Sequence, residues 1–129
     1  FFFFYAFANP KLFPQAFKTV VGSFKDISKH IKLTKNDYVV IMTRGHQSDY
    51  EILEQVLRTE ACYIGVIGSR HKIAITRKRL LEAGFSEEEF KRVHTPIGLP
   101  IKGETPAEIA ISIAGELILH RAEMKEATI

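Results

Sequence analysis

The 129 residues include 18 basic and 15 acidic side chains, a formal net charge of +3, and a hydrophobic fraction of 46%. This length suits one domain with a substantial core, and the small, dispersed charge excess argues against a nucleic-acid-binding surface. A single cysteine excludes an internal disulfide and a Cys-x-x-Cys zinc cluster, which fits a reducing, cytoplasmic setting, and no apolar run reaches the roughly 18 residues of a membrane helix.

The first third of the chain contains three apolar runs separated by polar segments. Five aromatic residues over 1–5 would promote aggregation if exposed, so they must be buried as a strand or covered by a partner. Residues 19–21 predict a short strand, and a marginal helix follows over 25–30. The continuous apolar run 38–42 is typical of a strand that is buried on both faces.

Helices and strands alternate after this point. A helix is predicted over about 49–58, beginning at a capping box formed by Ser48 and Glu51. Residues 62–67 form a second buried strand, and a helix follows over 71–83. Because each of these strands is followed by a helix, the pattern favours parallel pairing of the strands.

The last third repeats the pattern. Gly84 is expected to cap the end of the preceding helix, and a capping box that starts at Ser86 predicts a short helix. A third strand is predicted over 92–95. The final helix begins at the capping box of Thr105 and runs to about Arg121.

These elements predict one α/β domain over 1–129, with a three-layer arrangement of a parallel sheet and helices on both faces. In open parallel sheets, ligands bind outside the carboxyl ends of the strands. That rule selects the loops 43–48, 68–72 and 94–105, which are rich in glycine and polar residues.

The first of these loops reads Thr43-Arg44-Gly45-His46. Gly45 permits a close approach of the backbone, Arg44 and His46 can contact an anion, and His46 can transfer a proton. A tight turn with solvated side chains explains the same residues. Two ligands at the spacing of His46 and Asp49 lack a third, so no metal site is predicted.

The second loop contains Gly68, Ser69 and Arg70 at the start of a helix. Backbone N–H groups at a helix N-terminus, with a serine and an arginine beside them, can cradle an anion. The spacing from Gly65 to Gly68 does not match the dinucleotide fingerprint G-x-G-x-x-G. A glycine turn with Ser69 as an N-cap is the alternative.

The third loop joins rigid prolines to flexible glycines between His94 and Thr105. His94 and Thr95 end a strand, and Glu104 precedes the last helix, which it can help to cap. Cys62 opens its strand at the opposite end of the sheet, so a buried, unreactive thiol is expected. No residue can be assigned a catalytic role from these patterns.

Five motifs follow one another in a fixed order: Phe7-Ala8-Asn9-Pro10-x-x-Phe13-Pro14, Thr43-Arg44-Gly45-His46, Tyr63-Ile64-Gly65-x-Ile67-Gly68-Ser69-Arg70, His94-Thr95-Pro96-Ile97-Gly98-Leu99 and Glu104-Thr105-Pro106-x-Glu108-Ile109-Ala110. Over about residues 7–121, this order resembles the C-terminal domain of the xanthine dehydrogenase accessory factor family (XdhC/CoxI type). The resemblance implies a Rossmann-like fold and a cytoplasmic role in binding the molybdenum cofactor, assisting its sulfuration and delivering it. The cofactor-binding positions that it implies are Thr43, Arg44, Gly45, His46, Gly68, Ser69, Arg70, His94, Thr95 and Glu104.

The partners implied by the resemblance are an apo molybdenum hydroxylase and a sulfur donor. An accessory role without catalysis of its own is therefore favoured. One alternative is an NAD(P)-binding oxidoreductase, although the missing glycine fingerprint argues against NAD(P). Another alternative is a protein-interaction domain that has lost its ligand.

The start of the chain departs from the family pattern. Family members usually begin this domain with a strand, a glycine-rich turn and a helix, followed by acidic residues where this chain has Phe2 and Phe3. Without a first, central strand, the strands around Val20 and Tyr38 would have unpaired edges. We therefore expect a homo-oligomer in which strand exchange fills the vacancy, or a Phe-rich segment repositioned within the sheet.

Overall fold

The computed structural model describes residues 2–4 and 11–127; for Phe2–Phe4 and His46 it describes the backbone alone. Its strands are β1 (Phe2–Phe4), β2 (Lys18–Val20), β3 (Tyr38–Ile41), β4 (Tyr63–Val66) and β5 (Val93–His94). Its helices are a 3₁₀ helix (Phe24–Lys29), α1 (His46–Val56), α2 (Arg70–Glu82), α3 (Glu87–Phe90) and α4 (Pro106–Ala127).

Within the described residues, the strands all pair in parallel and form two sheets. One sheet has the order β3-β4-β5, with Tyr38 opposite Tyr63 and Ile64 opposite Val93. The other joins β1 to β2, with Phe3 opposite Thr19. The predicted α/β class is confirmed, and the strands predicted over 38–42, 62–67 and 92–95 form the larger sheet.

The neighbour of β2 is the Phe-rich start of the chain. Phe2–Phe4 forms β1 and pairs with β2. The strand around Val20, which was predicted to have an unpaired edge, therefore has a neighbouring strand. Among residues 2–4 and 11–127, β3 pairs with β4 and with no strand on its other edge. Strand exchange at that edge stays a prediction.

The core lies on one face of the larger sheet, beneath α1 and α2. Side chains alternate between the two faces of a strand, so Ile41, Ile64, Val66 and Val93 all point to this face. They pack in one cluster with residues of α1 at i, i+3 and i+4 spacing and with Leu80 of α2.

Helix α4 covers the opposite face of the sheet, where Tyr63 and His94 point. Tyr63 Oη lies 2.6 Å from a carboxylate oxygen of Glu116 on α4. The Oγ of Ser112 donates a hydrogen bond of 2.6 Å to the carbonyl oxygen of Leu99, and the Leu99 N–H donates to the Ser112 carbonyl oxygen at 3.2 Å. These bonds fix α4 to both the sheet and the loop that precedes it.

Three of the predicted helix boundaries are confirmed. Ser86 and Glu89 form a reciprocal capping box, as does Thr105 with Glu108. Gly84, with a φ of +99°, follows the last residues of α2. The N–H groups of residues 84 and 85 bond to the carbonyls of residues 81 and 80, which is the Schellman arrangement.

The predicted start of α1 at Ser48 is wrong. The helix begins at His46 with Gly45 as its N-cap, and no side chain caps it. The reason is that Asp49, in the first turn, holds the preceding loop in place through Thr43. Ser48 therefore lies inside the helix.

In the part of the chain that the structure describes, no helix combines the length and apolar character required to cross a membrane.

Candidate functional site

The three polar loops lie at the carboxyl ends of β3, β4 and β5. Because the strands are parallel, these ends lie at one edge of the sheet, where this architecture places ligands. The loop after β3 leads into α1, and the loop after β4 leads into α2. The loop after β5 runs from Thr95 to the start of α4.

The first loop is held by a buried carboxylate. Asp49 is 8% exposed, and its Oδ1 accepts hydrogen bonds from the backbone N–H of Thr43 at 3.0 Å and from the Thr43 hydroxyl at 2.7 Å. Thr43 is half-buried, whereas Arg44 and Gly45 are exposed. His46 is the first residue of α1, and its side chain lies outside the described atoms. The loop is thus anchored at Thr43, and its next two residues face the solvent.

The second loop ends at the N-terminus of α2. Ser69 is the N-cap of this helix, and its hydroxyl accepts a hydrogen bond from the N–H of Lys72 at 3.4 Å. The N-cap role that was the alternative for Ser69 is therefore confirmed, and the anion cradle stays a prediction. Ser69 and Arg70 are exposed beside the first turn of the helix, so this N-terminus is open to the solvent. An anion placed there would meet helix N–H groups and the Arg70 guanidinium.

The third loop meets the second at a small cavity, which Asp49 of α1 also lines. Thr95 lines it together with Gly68 and Lys72 from the second loop and helix α2, and with Asp49. The cavity measures about 20 Å³, which is room for about one water molecule and excludes a nucleotide. The Thr95 hydroxyl oxygen is buried and has no hydrogen-bond partner among the described residues. The structure thus brings Gly68 and Thr95 to one cavity and links Thr43 to it through Asp49.

The rest of the third loop is pinned to the sheet and to α4. The N–H of Ile97 donates to the Val66 carbonyl oxygen at 3.1 Å. Gly98 has a φ of +102° and abuts Ser112 so closely that a Cβ there would collide with the hydroxyl. Glu104 is exposed at the start of α4, where its N–H donates to Glu108 Oε1 at 3.0 Å.

His94 points to the other face of the sheet from Thr95. Its ring stacks on that of Tyr63, with 4.5 Å between the centroids, and its Nδ1 lies 3.5 Å from Glu116 Oε1. The ring of His120 meets it edge-on at 5.5 Å. Its described contacts are therefore with α4, and none of them joins it to Thr43 or Gly68.

Burial shifts the pKa values of Tyr63 and His94, which lie between the sheet and α4. It raises the pKa of Tyr63, and the hydrogen bond to Glu116 raises it further. Burial lowers the pKa of His94, while the carboxylate of Glu116 opposes that effect.

Within the described residues, no three His, Cys, Asp or Glu side chains are placed to hold a metal ion. Cys62 is partly buried, and its thiol donates to the Asp37 carbonyl oxygen at 3.3 Å.

Two features were missed from the sequence. Asp49 lies on the buried stripe of α1, four residues before Leu53 and seven before Val56. A carboxylate at this helical spacing from apolar residues indicates a buried charge that needs hydrogen-bond donors. The contact between Tyr63 and Glu116 joins residues 53 positions apart, and no local pattern indicates it.

Comparisons with known proteins give one consistent result. The family model of the XdhC Rossmann domain matches residues 5–117. Protein YqeB of Escherichia coli K12, described as uncharacterized, is 32% identical over 111 residues, which are 85% of this chain and 20% of YqeB. A protein of Bacillus subtilis, described as a probable subunit of xanthine dehydrogenase, is 29% identical over 116 residues, or 90% of this chain and 33% of that protein.

A third relative and a solved structure agree with these matches. The molybdenum cofactor insertion chaperone PaoD of Escherichia coli K12 is 23% identical over 88 residues, covering 68% of this chain and 28% of PaoD. A crystal structure described as a xanthine dehydrogenase from Bacillus halodurans superposes with a TM-score of 0.81 at 30% identity, covering 99% of this chain and 37% of that one. The chain thus spans about a fifth to a third of the curated relatives that it matches. With the family model matching nearly the whole chain, the resemblance seen in the motifs is confirmed: the chain belongs to the XdhC family and corresponds to its Rossmann domain.

Proposed function

We propose that this chain serves in the maturation of a molybdenum hydroxylase of the xanthine dehydrogenase type, by binding or delivering the molybdenum cofactor. The observation that carries the proposal is the meeting of the second and third loops at one cavity beside Asp49, which anchors the first loop. The printed role of PaoD as a molybdenum cofactor insertion chaperone supports the choice of cofactor.

The chemistry of the loops fits a cofactor that carries a phosphate. The N-terminus of α2 presents backbone N–H groups, with Ser69 and Arg70 exposed beside them, and Arg44 is exposed on the neighbouring loop. The cavity of about 20 Å³ beneath the loops is too small for a pterin, so the cofactor would lie on the outer surface of the loops. Gly45, His46, His94, Thr95 and Glu104 complete the proposed cofactor-binding set. Within it, His94 and Thr95 are proposed to support the third loop from below, since the His94 ring packs against α4 and the Thr95 hydroxyl is buried.

The proposed partners are an apo molybdenum hydroxylase and a sulfur donor, and the chain itself is proposed to self-associate. The proposal involves no chemistry catalysed by the chain. NAD(P) binding is the competing function for a Rossmann domain. It is disfavoured because the glycines at 65 and 68 do not have the spacing of the dinucleotide fingerprint.

Substituting the arginines tests where the phosphate lies. We expect Arg44→Ala and Arg70→Ala each to weaken binding of freshly isolated molybdenum cofactor by about 1.5–3 kcal/mol, the loss of one charge-assisted hydrogen bond. Lys78→Ala removes an equal charge from an exposed position further along α2 and should leave the affinity unchanged. The measurement is an equilibrium titration followed by pterin fluorescence. If both arginine variants bind as the unsubstituted chain does, the phosphate does not lie on these loops.

A further inference from the structure

Helix α4 has apolar residues on the side that faces away from the sheet as well as on the side that covers it. Ser112 and Ile113 are buried, whereas Ile111 is 65% exposed and Ile118 is 56% exposed. A helix that is apolar on all sides is normally covered on all sides. The outward side of α4 is therefore a candidate interaction surface.

The outward residues follow the spacing of a helix-pairing seam. Ala107, Ile111, Ala114 and Ile118 are all exposed and are separated by four, three and four residues. This alternation of steps is the repeat that keeps one stripe of a helix facing a partner helix. Large and small side chains alternate along the stripe, which we call the α4 seam. Exposed charges lie beyond each end of it, Glu104 before it and Arg121 after it.

We propose that the α4 seam pairs with the α4 seam of a second copy of this chain, in antiparallel orientation. If two copies are placed antiparallel about the midpoint between Ser112 and Ile113, Ile111 of each faces Ala114 of the other, and Ile118 faces Ala107. The same alignment brings Arg121 of each copy to the start of the other α4, beside the exposed carboxylates of Glu104 and Glu108. The stripe is thus complementary to itself in both size and charge, as a two-fold symmetric interface requires.

The antiparallel orientation follows from the same residues. A parallel pair would place Ile111 against Ile111, Ala114 against Ala114 and Arg121 against Arg121, so that large groups meet, gaps form and like charges repel. A second route to self-association is strand addition at the unpaired edge of β3, beside which Met42 is 52% exposed. The α4 seam is favoured because its residues supply complementary partners, whereas a bare strand edge does not select one partner.

The inference rests on the self-association proposed above and not on cofactor binding, so the two can fail separately. The molar mass of the chain in solution, measured by light scattering during size-exclusion chromatography, should be twice that of the monomer. Ile118→Lys should reduce it to that of the monomer, because an ammonium would be buried in the seam. Circular dichroism should be unchanged, since Ile118 is exposed in the single chain.

Charge reversal tests the orientation of the pair. Arg121→Glu places a further carboxylate beside those of Glu104 and Glu108 and should weaken an antiparallel dimer several-fold. In a parallel pair, the same change would exchange one like-charge pair for another and leave the affinity as it is. Met42→Lys is the matched control: it puts the same charge at an exposed apolar position beside β3 and should leave the dimer intact.

Three outcomes would overturn the proposal: a monomeric wild-type chain, a dimer that Met42→Lys dissociates while Ile118→Lys does not, or an Arg121→Glu variant that dimerises as tightly as the wild type. In each case, a chain that still bound molybdenum cofactor would leave the proposed function standing.

Discussion

Asp49 shows how one buried carboxylate can set the shape of a whole loop. Both the backbone N–H and the hydroxyl of Thr43 bond to a single oxygen of this side chain, which is 8% exposed. Hydrogen bonds to a charged acceptor contribute more than neutral ones, and a buried N–H without a partner is costly. The proposed cofactor-binding residues at 43–46 therefore depend on a residue outside that set.

We expect Asp49→Ala to lower the free energy of unfolding by about 1.5–3 kcal/mol, because the Thr43 N–H loses its buried acceptor. Asp49→Asn retains a carbonyl oxygen in that place and should lose less. Urea unfolding measures both variants. Glu60→Ala, which removes an exposed carboxylate, is the control. Equal losses at positions 49 and 60 would show that Asp49 does not anchor the loop.

Local patterns selected three loops that the structure places at one edge of the sheet, but they did not give the direction of every side chain. Three glycine-rich and polar loops at strand ends were enough to select Thr43, Gly68 and Thr95, which the structure links through one cavity and Asp49. The directions of His94 and Thr95 depend on the register of β5 with β4, which is set by tertiary packing. That register sends His94 toward α4, on the opposite face from Thr95.

Among the elements, the contact between α4 and the sheet encloses His94, whose pKa is lowered by burial. Burial lowers the pKa of His94 below its usual 6.5; Glu116 opposes this, His120 adds to it, and Glu123 opposes it. The Tyr63 ring stacks on His94, and Tyr38 lies edge-on to His120. Since the folded pKa is the lower one, the unfolded chain takes up a proton at His94 first as the pH falls.

The neutral His94 therefore contributes stability that is complete above about pH 6.5 and is lost as the pH falls below that value toward the folded pKa. We expect the urea midpoint of the chain to fall between about pH 7.5 and pH 5, and His94→Gln to reduce that fall. His71→Gln, at an exposed position on α2, should leave the pH dependence as it is. Identical profiles for His94→Gln and the unsubstituted chain would show that His94 does not couple folding to pH.

Helix boundaries were predictable where the capping residues bond only to one another. Ser86 with Glu89, Thr105 with Glu108 and the glycine at 84 all behave as the sequence predicted. Ser48 failed because a tertiary interaction competed: the bonds between Asp49 and Thr43 set the start of α1 instead. The 3₁₀ helix over Phe24–Lys29 was foreseen only as a marginal helix.

At the scale of the whole molecule, alternating strands and helices were enough to predict a parallel α/β fold, and the family match confirms it. The division into two sheets was not predictable, since it depends on which strand lies beside β3. The packing of α4 on the sheet could not be predicted either, because it depends on the contact between Tyr63 and Glu116, which are 53 residues apart in the sequence. Long-range pairing of this kind leaves no periodic trace in the sequence.

We propose that this Rossmann domain binds the molybdenum cofactor and not a nicotinamide dinucleotide. Parallel equilibrium titrations of the chain, one with freshly isolated molybdenum cofactor and one with NADPH, test it most directly. We expect saturable binding of the molybdenum cofactor, weakened in the Arg70→Ala variant, and no saturable binding of NADPH. Tight binding of NADPH without binding of the molybdenum cofactor would contradict it.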